Sequence, residues 1–82
     1  MILFEFLLDS YILFRNTRGT EKYWKENAVG YTEDIEDAGV YTGKEVVFYN
    51  LKVSQYHEVK SGKDKQYTHY AMTVKDAIKL LK

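Results

Sequence analysis

Between Tyr23 and Thr42 the chain packs its only tryptophan, two Tyr-Thr pairs, two isolated glycines and an acidic run, Glu33-Asp34-Ile35-Glu36-Asp37. Aromatic rings this close to glycines restrict what the backbone can do. The rings need burial, and glycine permits the turns and close approaches that bring them together. Such a segment is suited to pinning a small core rather than to chemistry. At 82 residues the chain reads as one domain, 1–82, near the lower limit for folding without metals or disulfides. Its 16% aromatic content supplies buried area that the short length withholds. Cysteine and proline are absent, which excludes a disulfide framework, a thiolate zinc site and polyproline ligands.

The most apolar stretch, residues 1–14, lacks the basic start and small-residue cleavage site of a signal peptide. It is shorter than the roughly 20 residues a membrane span needs and carries Glu5 and Asp9, so core is the expectation. Helix, strand and loose extension stay open for residues 1–10, because an all-apolar run has no clean period.

Tyr11–Arg15 and Glu21–Lys25 are β-prone and flank Asn16-Thr17-Arg18-Gly19-Thr20, which predicts a hairpin. Strand alternation puts Trp24 opposite Tyr23 and Lys25, and Trp24 is the expected buried member. Residues 27–30 predict a turn. Thr32 is placed to cap a short helical turn, with Ile35 and Ala38 inward and Gly39 as its left-handed terminator. Thr42-Gly43-Lys44-Glu45 matches a capping box before a helix over 43–52 that buries Val46, Val47, Asn50 and Leu51; the alternative is a strand from Glu45 to Tyr49. Residues 53–60 and 66–73 read as two strands around Ser61–Asp64. Thr73-Val74-Lys75-Asp76 is a second capping box, followed by Val74, Ala77, Ile78 and Leu81 at amphipathic spacing. The fold class expected is α+β: a small antiparallel sheet of about four strands (two hairpins) with two helices on one face.

Catalytic signals are sparse. His57 and His69, with Glu58 or Asp64, match no metal-ligand spacing, and the acidic run lacks the alternation and central glycine of a calcium loop. No glycine belongs to a phosphate loop, and no serine sits in a nucleophile elbow. A non-enzyme without cofactor or metal is expected. Residues 1–41 carry four Lys/Arg against eight Asp/Glu and residues 42–82 eight against four, so a net −4 and a net +4 cancel. Halves of opposite sign either neutralise one another in the fold or show a partner two charged faces. Glu33, Asp34, Glu36 and Asp37 are either a solvated turn or an acidic patch that occupies a partner's basic groove. Trp24, Tyr31 and Tyr41 are core anchors or interface hot spots. Lys60, Lys63 and Lys65, flanked by Tyr56, Tyr67 and Tyr70, are either a soluble loop tip or a surface on which single-stranded nucleic acid stacks.

Residues 23–42 resemble a motif of small uncharacterised bacteriophage and prophage proteins: Trp, a few polar residues, Gly-Tyr-Thr, an acidic spacer, then Ala-Gly-x-(Tyr/Phe)-Thr and a helix. The matching positions are Trp24, Gly30, Tyr31, Thr32, Ala38, Gly39, Tyr41 and Thr42, and the motif spans about a quarter of the chain. Residues after 53 depart from the shorter members. The resemblance implies a phage accessory protein in the host bacterial cytoplasm, one that binds and blocks a host protein such as a defence effector (an anti-CRISPR-type inhibitor). The expected partner-binding residues are Tyr31, Glu33, Asp34, Glu36, Asp37 and Tyr41. The alternative is a nucleic-acid-binding module using Lys60, Lys63, Lys65, Tyr67 and Tyr70. No membrane partner is expected, and a homodimer would use the apolar N-terminus or the C-terminal helix.

Overall fold

The strand β1, Ser10–Thr17, organises the protein because both of its faces are apolar: Tyr11 and Leu13 point to one side, Ile12 and Phe14 to the other, and all four are buried. A strand buried on both faces must be central and covered twice. The computed structural model, which describes residues 9–17, 20–61 and 68–80, shows both covers. Along one edge β1 pairs antiparallel with β2 (Thr20–Trp24), and near its start with β4 (Tyr41–Thr42). Its other edge pairs antiparallel with β6 (His69–Thr73). The short strands β3 (Tyr31–Thr32) and β5 (Lys52–Val53) complete a six-stranded sheet in the order β3-β2-β1-β6-β5, with β4 beside β1.

On one face Ile12, Phe14, Tyr23, Tyr70 and Met72 form a cluster. The helices α2 (Tyr56–Ser61) and α3 (Val74–Leu80) cover it through Tyr56, Val59, Val74, Ala77 and Leu80, with Ile35 and Ala38 alongside. On the other face Tyr11, Leu13, Tyr41 and Ala71 pack against Val46 of α1 (Gly43–Phe48), with Trp24, Tyr49, Leu51 and Val53 around them. The α+β class stands, but the sheet has six strands rather than four, and the helices cover both faces rather than one.

The predicted second hairpin is corrected as well. Residues 53–60 are not one strand: β5 ends at Val53 and runs parallel to β6, and α2 follows. The Glu58 carboxylate accepts the Gln55 amide at 2.9 Å and Asp76 accepts the Tyr56 amide at 3.2 Å, so two donors at the helix start are satisfied by side chains. Tyr56 and Val59 are spaced by three and pack on the same face, a helical interval that strand alternation cannot use. The predicted turn at Ser61–Asp64 lies mostly outside the described residues.

Three local expectations change for identifiable reasons. Tyr23, not Trp24, is the buried member of its pair, and Trp24 is half-buried on the opposite, also covered, face. The helix begins at the capping box as read, the Thr42 hydroxyl and Glu45 carboxylate exchanging bonds with each other's amides at 3.2 and 2.9 Å. It stops at Phe48 because Asn50 turns left-handed (φ 56°) while the amides of Asn50 and Leu51 return to the carbonyls of Val47 and Val46. That is the Schellman closure, with Leu51 and Val46 in the same cluster. Asn50 and Val47 are therefore exposed, and Phe48 is 80% exposed.

Candidate interaction surface

The acidic run is held by its own hydrogen bonds. The Thr32 hydroxyl accepts the Asp34 amide at 3.1 Å, and the Asp34 carboxylate accepts the Glu36 amide at 3.0 Å. The cap of this single 3-10 turn (Ile35–Asp37) is thus Asp34, and Thr32 acts one step earlier than expected. Ile35 and Ala38 anchor the turn against the Tyr23 face, which leaves Glu33, Asp34, Glu36 and Asp37 exposed.

After the turn the chain passes back against β2. The Gly39 amide donates to the Trp24 carbonyl at 2.8 Å. A Cβ on Gly39 would lie 2.7 Å from the Glu26 nitrogen, so glycine is required here for close approach. It is not the left-handed terminator; among the described glycines only Gly30 has a positive φ, 82°. Two residues on, Tyr41 is only 2% exposed. Its hydroxyl donates to the Lys25 carbonyl and accepts the Ala28 amide, the latter at 2.9 Å. Tyr41 therefore serves the core and the 26–28 turn and offers no surface to a partner.

Strand parity splits the remaining predicted patch. Thr32 pairs with Tyr23 and Tyr31 with Trp24, so the Tyr31 ring lies on the face opposite Ile35 and Ala38. Tyr31 meets Trp24 edge-on at 6.2 Å, carries the Arg15 guanidinium 4.8 Å above its ring, and borders a hollow with Lys22 and Glu33. Glu36 and Asp37 face a different region. A hollow of about 640 Å³ lies between the turn and Lys25, Glu26, Asn27 and Val29. A second, of about 430 Å³, is lined by Ile12, Ile35, Ala38, Val40, Val74 and Ile78, with Glu36 the one charged wall among the described residues. Glu36 and Ala38 border both, so the acidic turn is a ridge between a polar and an aliphatic depression. The aliphatic one was not anticipated. One signal is present in the sequence, Ile78 following Val74 by four on a helix; the outward position of Val40 follows only from the burial of Gly39 and Tyr41 on either side of it.

The alternative residues scatter too. Lys60 is exposed on α2, with its ammonium 5.9 Å from the Tyr56 ring, and Lys79 of α3 approaches the same ring at 5.2 Å. Lys63, Lys65 and Tyr67, with Asp64, lie outside the described residues. Tyr70 is buried and stacked on Phe14 at 4.9 Å, its hydroxyl donating to Glu21, so it presents no ring for a base. The histidines are not brought together. His57 lies on α2, whereas His69 sits on the opposite face, its ring 5.7 Å from Trp24. Burial, and then the Arg15 charge, lower the His69 pKa below 6.5. Among the described residues no three His, Asp or Glu side chains converge as a metal site would require. No described helix is long and apolar enough to cross a membrane. Comparison with protein-family models, curated proteins and solved structures returns no match.

Proposed function

We propose that this chain works by binding a larger protein through the acidic ridge, as a phage accessory protein acting on a host target in the bacterial cytoplasm, of the kind that inhibits a defence effector. The observation that carries the proposal is the ridge itself: exposed carboxylates on a turn fixed by Asp34 and anchored by Ile35, with Glu36 at the mouth of an aliphatic hollow. Fixed charge beside exposed apolar surface is the composition of a protein interface, where the apolar part supplies affinity and the charge sets encounter and register. The phage-type resemblance supplies the cellular setting. The nucleic-acid alternative has less support, since Tyr70 is committed to the core.

The test is capture of host protein by the tagged chain. Glu33→Lys with Asp37→Lys is expected to abolish capture while shifting Tm by no more than about 8 °C, as two exposed substitutions of about ±0.5 kcal/mol each do. Asp34→Asn keeps the capping acceptor while removing the charge, which separates electrostatics from turn geometry. Undiminished capture by the double reversal excludes the ridge from the mechanism.

A further inference from the structure

Three basic side chains stand in one row across the sheet. In the β1–β2 register Arg15 faces Lys22, and in the β1–β6 register it faces His69. Directly opposed residues on antiparallel strands share a face with their Cβ atoms about 4.5–5.5 Å apart, and like charges so placed repel. This is the side of the sheet on which α1 packs, through Val46, against the Tyr11–Leu13 end. Beyond the buried Leu13 the cover thins: Arg15 is half-buried, and Thr17, Thr20 and Lys22 are exposed. Among the described residues neither Arg15 nor Lys22 has an ion-pair partner, and the Arg15 Nε is buried without an acceptor. Two opposed cations with no counter-charge weaken the sheet. Such a breach of a local rule marks a place where function is expected to compensate.

We propose that this end of the sheet binds a nucleotide, with a phosphate between Arg15 and Lys22 and the base against the Tyr31 ring. The hollow there, about 350 Å³, is lined by Arg15, Thr17, Thr20, Lys22, Tyr31 and Glu33. Its size is that of a small ligand pocket, and its polar groups converge as such a pocket requires. Two cations against one carboxylate select an anion. Arg15 offers a planar fork of donors that matches phosphate oxygens, and Lys22 adds a point charge. The Glu33 carboxylate is left as an acceptor for a sugar hydroxyl. Tyr31 is 39% exposed; Trp24 meets it edge-on at 6.2 Å, and the Arg15 guanidinium lies 4.8 Å from its centroid. Unpaired bases stack on aromatic rings and guanidinium planes of this kind. An acidic peptide fits less well. Peptides join a sheet along an edge, where their amides find partners, whereas Arg15 and Lys22 belong to strands already paired with each other. A nucleotide brings no backbone amides to satisfy.

The site does not depend on the proposed host partner. It lies on the face opposite Ile35 and Ala38 and shares only Glu33 with the acidic ridge. The test is a titration of the full chain at about 50 mM salt, where charge contacts are weakly screened. The probes are thymidine monophosphate and single-stranded oligothymidylate, with inorganic phosphate and oligoglutamate as controls. Fluorescence of Trp24, the only tryptophan, reports binding beside Tyr31. A Kd of about 10–100 μM is expected for a thymidine probe, as for other binding through few phosphate contacts. Tighter binding of the oligonucleotide identifies a single strand as the source of the nucleotide, and equal or weaker binding identifies a free one. Lys22→Gln is expected to weaken binding about tenfold and Tyr31→Leu about fivefold or more. Both positions are exposed, and circular dichroism confirms that the variants fold. Lys22→Glu separates binding from scaffold: it is expected to abolish binding while raising the urea midpoint, because it sets opposite charges across from one another. No binding of either thymidine probe overturns the proposal. So do phosphate or oligoglutamate bound as tightly, a Kd indifferent to Lys22→Gln or Tyr31→Leu, and a Lys22→Glu midpoint no higher than that of the wild type. Loss of host capture on the ridge reversal with no nucleotide bound removes this site and leaves the functional proposal standing; nucleotide binding without host capture does the reverse.

Discussion

Gly39→Ala tests whether the middle of the chain is held by close backbone approach. The glycine's φ lies outside the left-handed region, so alanine there carries no conformational strain. By restricting the unfolded chain alone it would stabilise the protein by about 0.4–1 kcal/mol. Sterics oppose this. The added Cβ falls 2.7 Å from the Glu26 nitrogen, 2.8 Å from its Cα and 3.0 Å from the Lys25 carbonyl carbon. All three are backbone atoms, which cannot swing aside, and comfortable contact needs about 3.5–4.0 Å. Relief requires the 38–41 segment to move off β2 by most of an ångström, which breaks the 2.8 Å bond from the Gly39 amide to the Trp24 carbonyl. Overpacking costs about 1–3 kcal/mol and the lost bond about 1 kcal/mol. Steric cost exceeds the entropic gain, for a net loss of about 2 kcal/mol and a fall in Tm of roughly 8–16 °C for a domain this size. Thermal and urea unfolding followed by circular dichroism measure it. Gly30→Ala is the control, since Gly30 has φ 82° and no atom within 4 Å of its added Cβ, so it loses only about 1 kcal/mol to backbone strain. A Gly39→Ala protein as stable as the wild type, or more stable, refutes the close-approach explanation.

Tyr41→Phe deletes the hydroxyl shared by the Lys25 carbonyl and the Ala28 amide, in a turn where Asn27 and Ala28 both hold positive φ. A loss of about 1–3 kcal/mol is expected in urea unfolding, because the ring stays buried while its partners lose their bond. His69 makes stability depend on pH. Its folded pKa is lowered from 6.5, so as pH falls through 6.5 the unfolded chain takes up a proton before the folded one does, and stability declines until the folded pKa is passed. Urea midpoints at pH 7.5 and 5.5 are expected to drop further for the wild type than for His69→Gln; an equal drop removes His69 as the cause. The lone tryptophan, 5.7 Å from the imidazole, gives an independent fluorescence readout of the same titration.

Features encoded within a few residues were legible in the sequence. The β1–β2 hairpin, the Thr42 capping box, the inward Ile35 and Ala38 and the amphipathic start of α3 all follow from local patterns. The Thr73 box was half right: Thr73 accepts the Asp76 amide at 3.2 Å, but the Asp76 carboxylate serves Tyr56 of α2 instead. What failed depended on the opposite side of the sheet. With both faces covered, alternation could say that Tyr23 and Trp24 point apart but not which is buried. Tyr31 and the acidic residues adjoin in sequence, but strand parity sends Tyr31 to one face and the 35–37 turn to the other. A glycine after a helical turn most often terminates it, but the backbone that Gly39 approaches is thirteen residues away.

These placements bear on what a resemblance in this segment can mean. Gly39 fits against Glu26, Tyr41 ties Lys25 to Ala28, Gly30 supplies a left-handed turn, Ala38 packs on the sheet, and Thr42 caps α1. Of the eight positions that carry the likeness, Trp24 also receives the Gly39 amide, and Thr32 steadies the turn. Seven of them therefore act on the scaffold, leaving Tyr31 as the one ring turned partly outward, and it is met by Trp24 and Arg15. The carboxylates of Glu33, Glu36 and Asp37, together with Val40 and Ile78, have no such duty and are exposed, whereas Asp34 caps the turn. A chain built this way can change Glu33, Glu36 and Asp37 without disturbing its shape, provided Asp34 and Ile35 stay. Charge reversals on Glu33 and Asp37 should accordingly move binding and leave folding alone, whereas alanine at Gly39 should do the opposite.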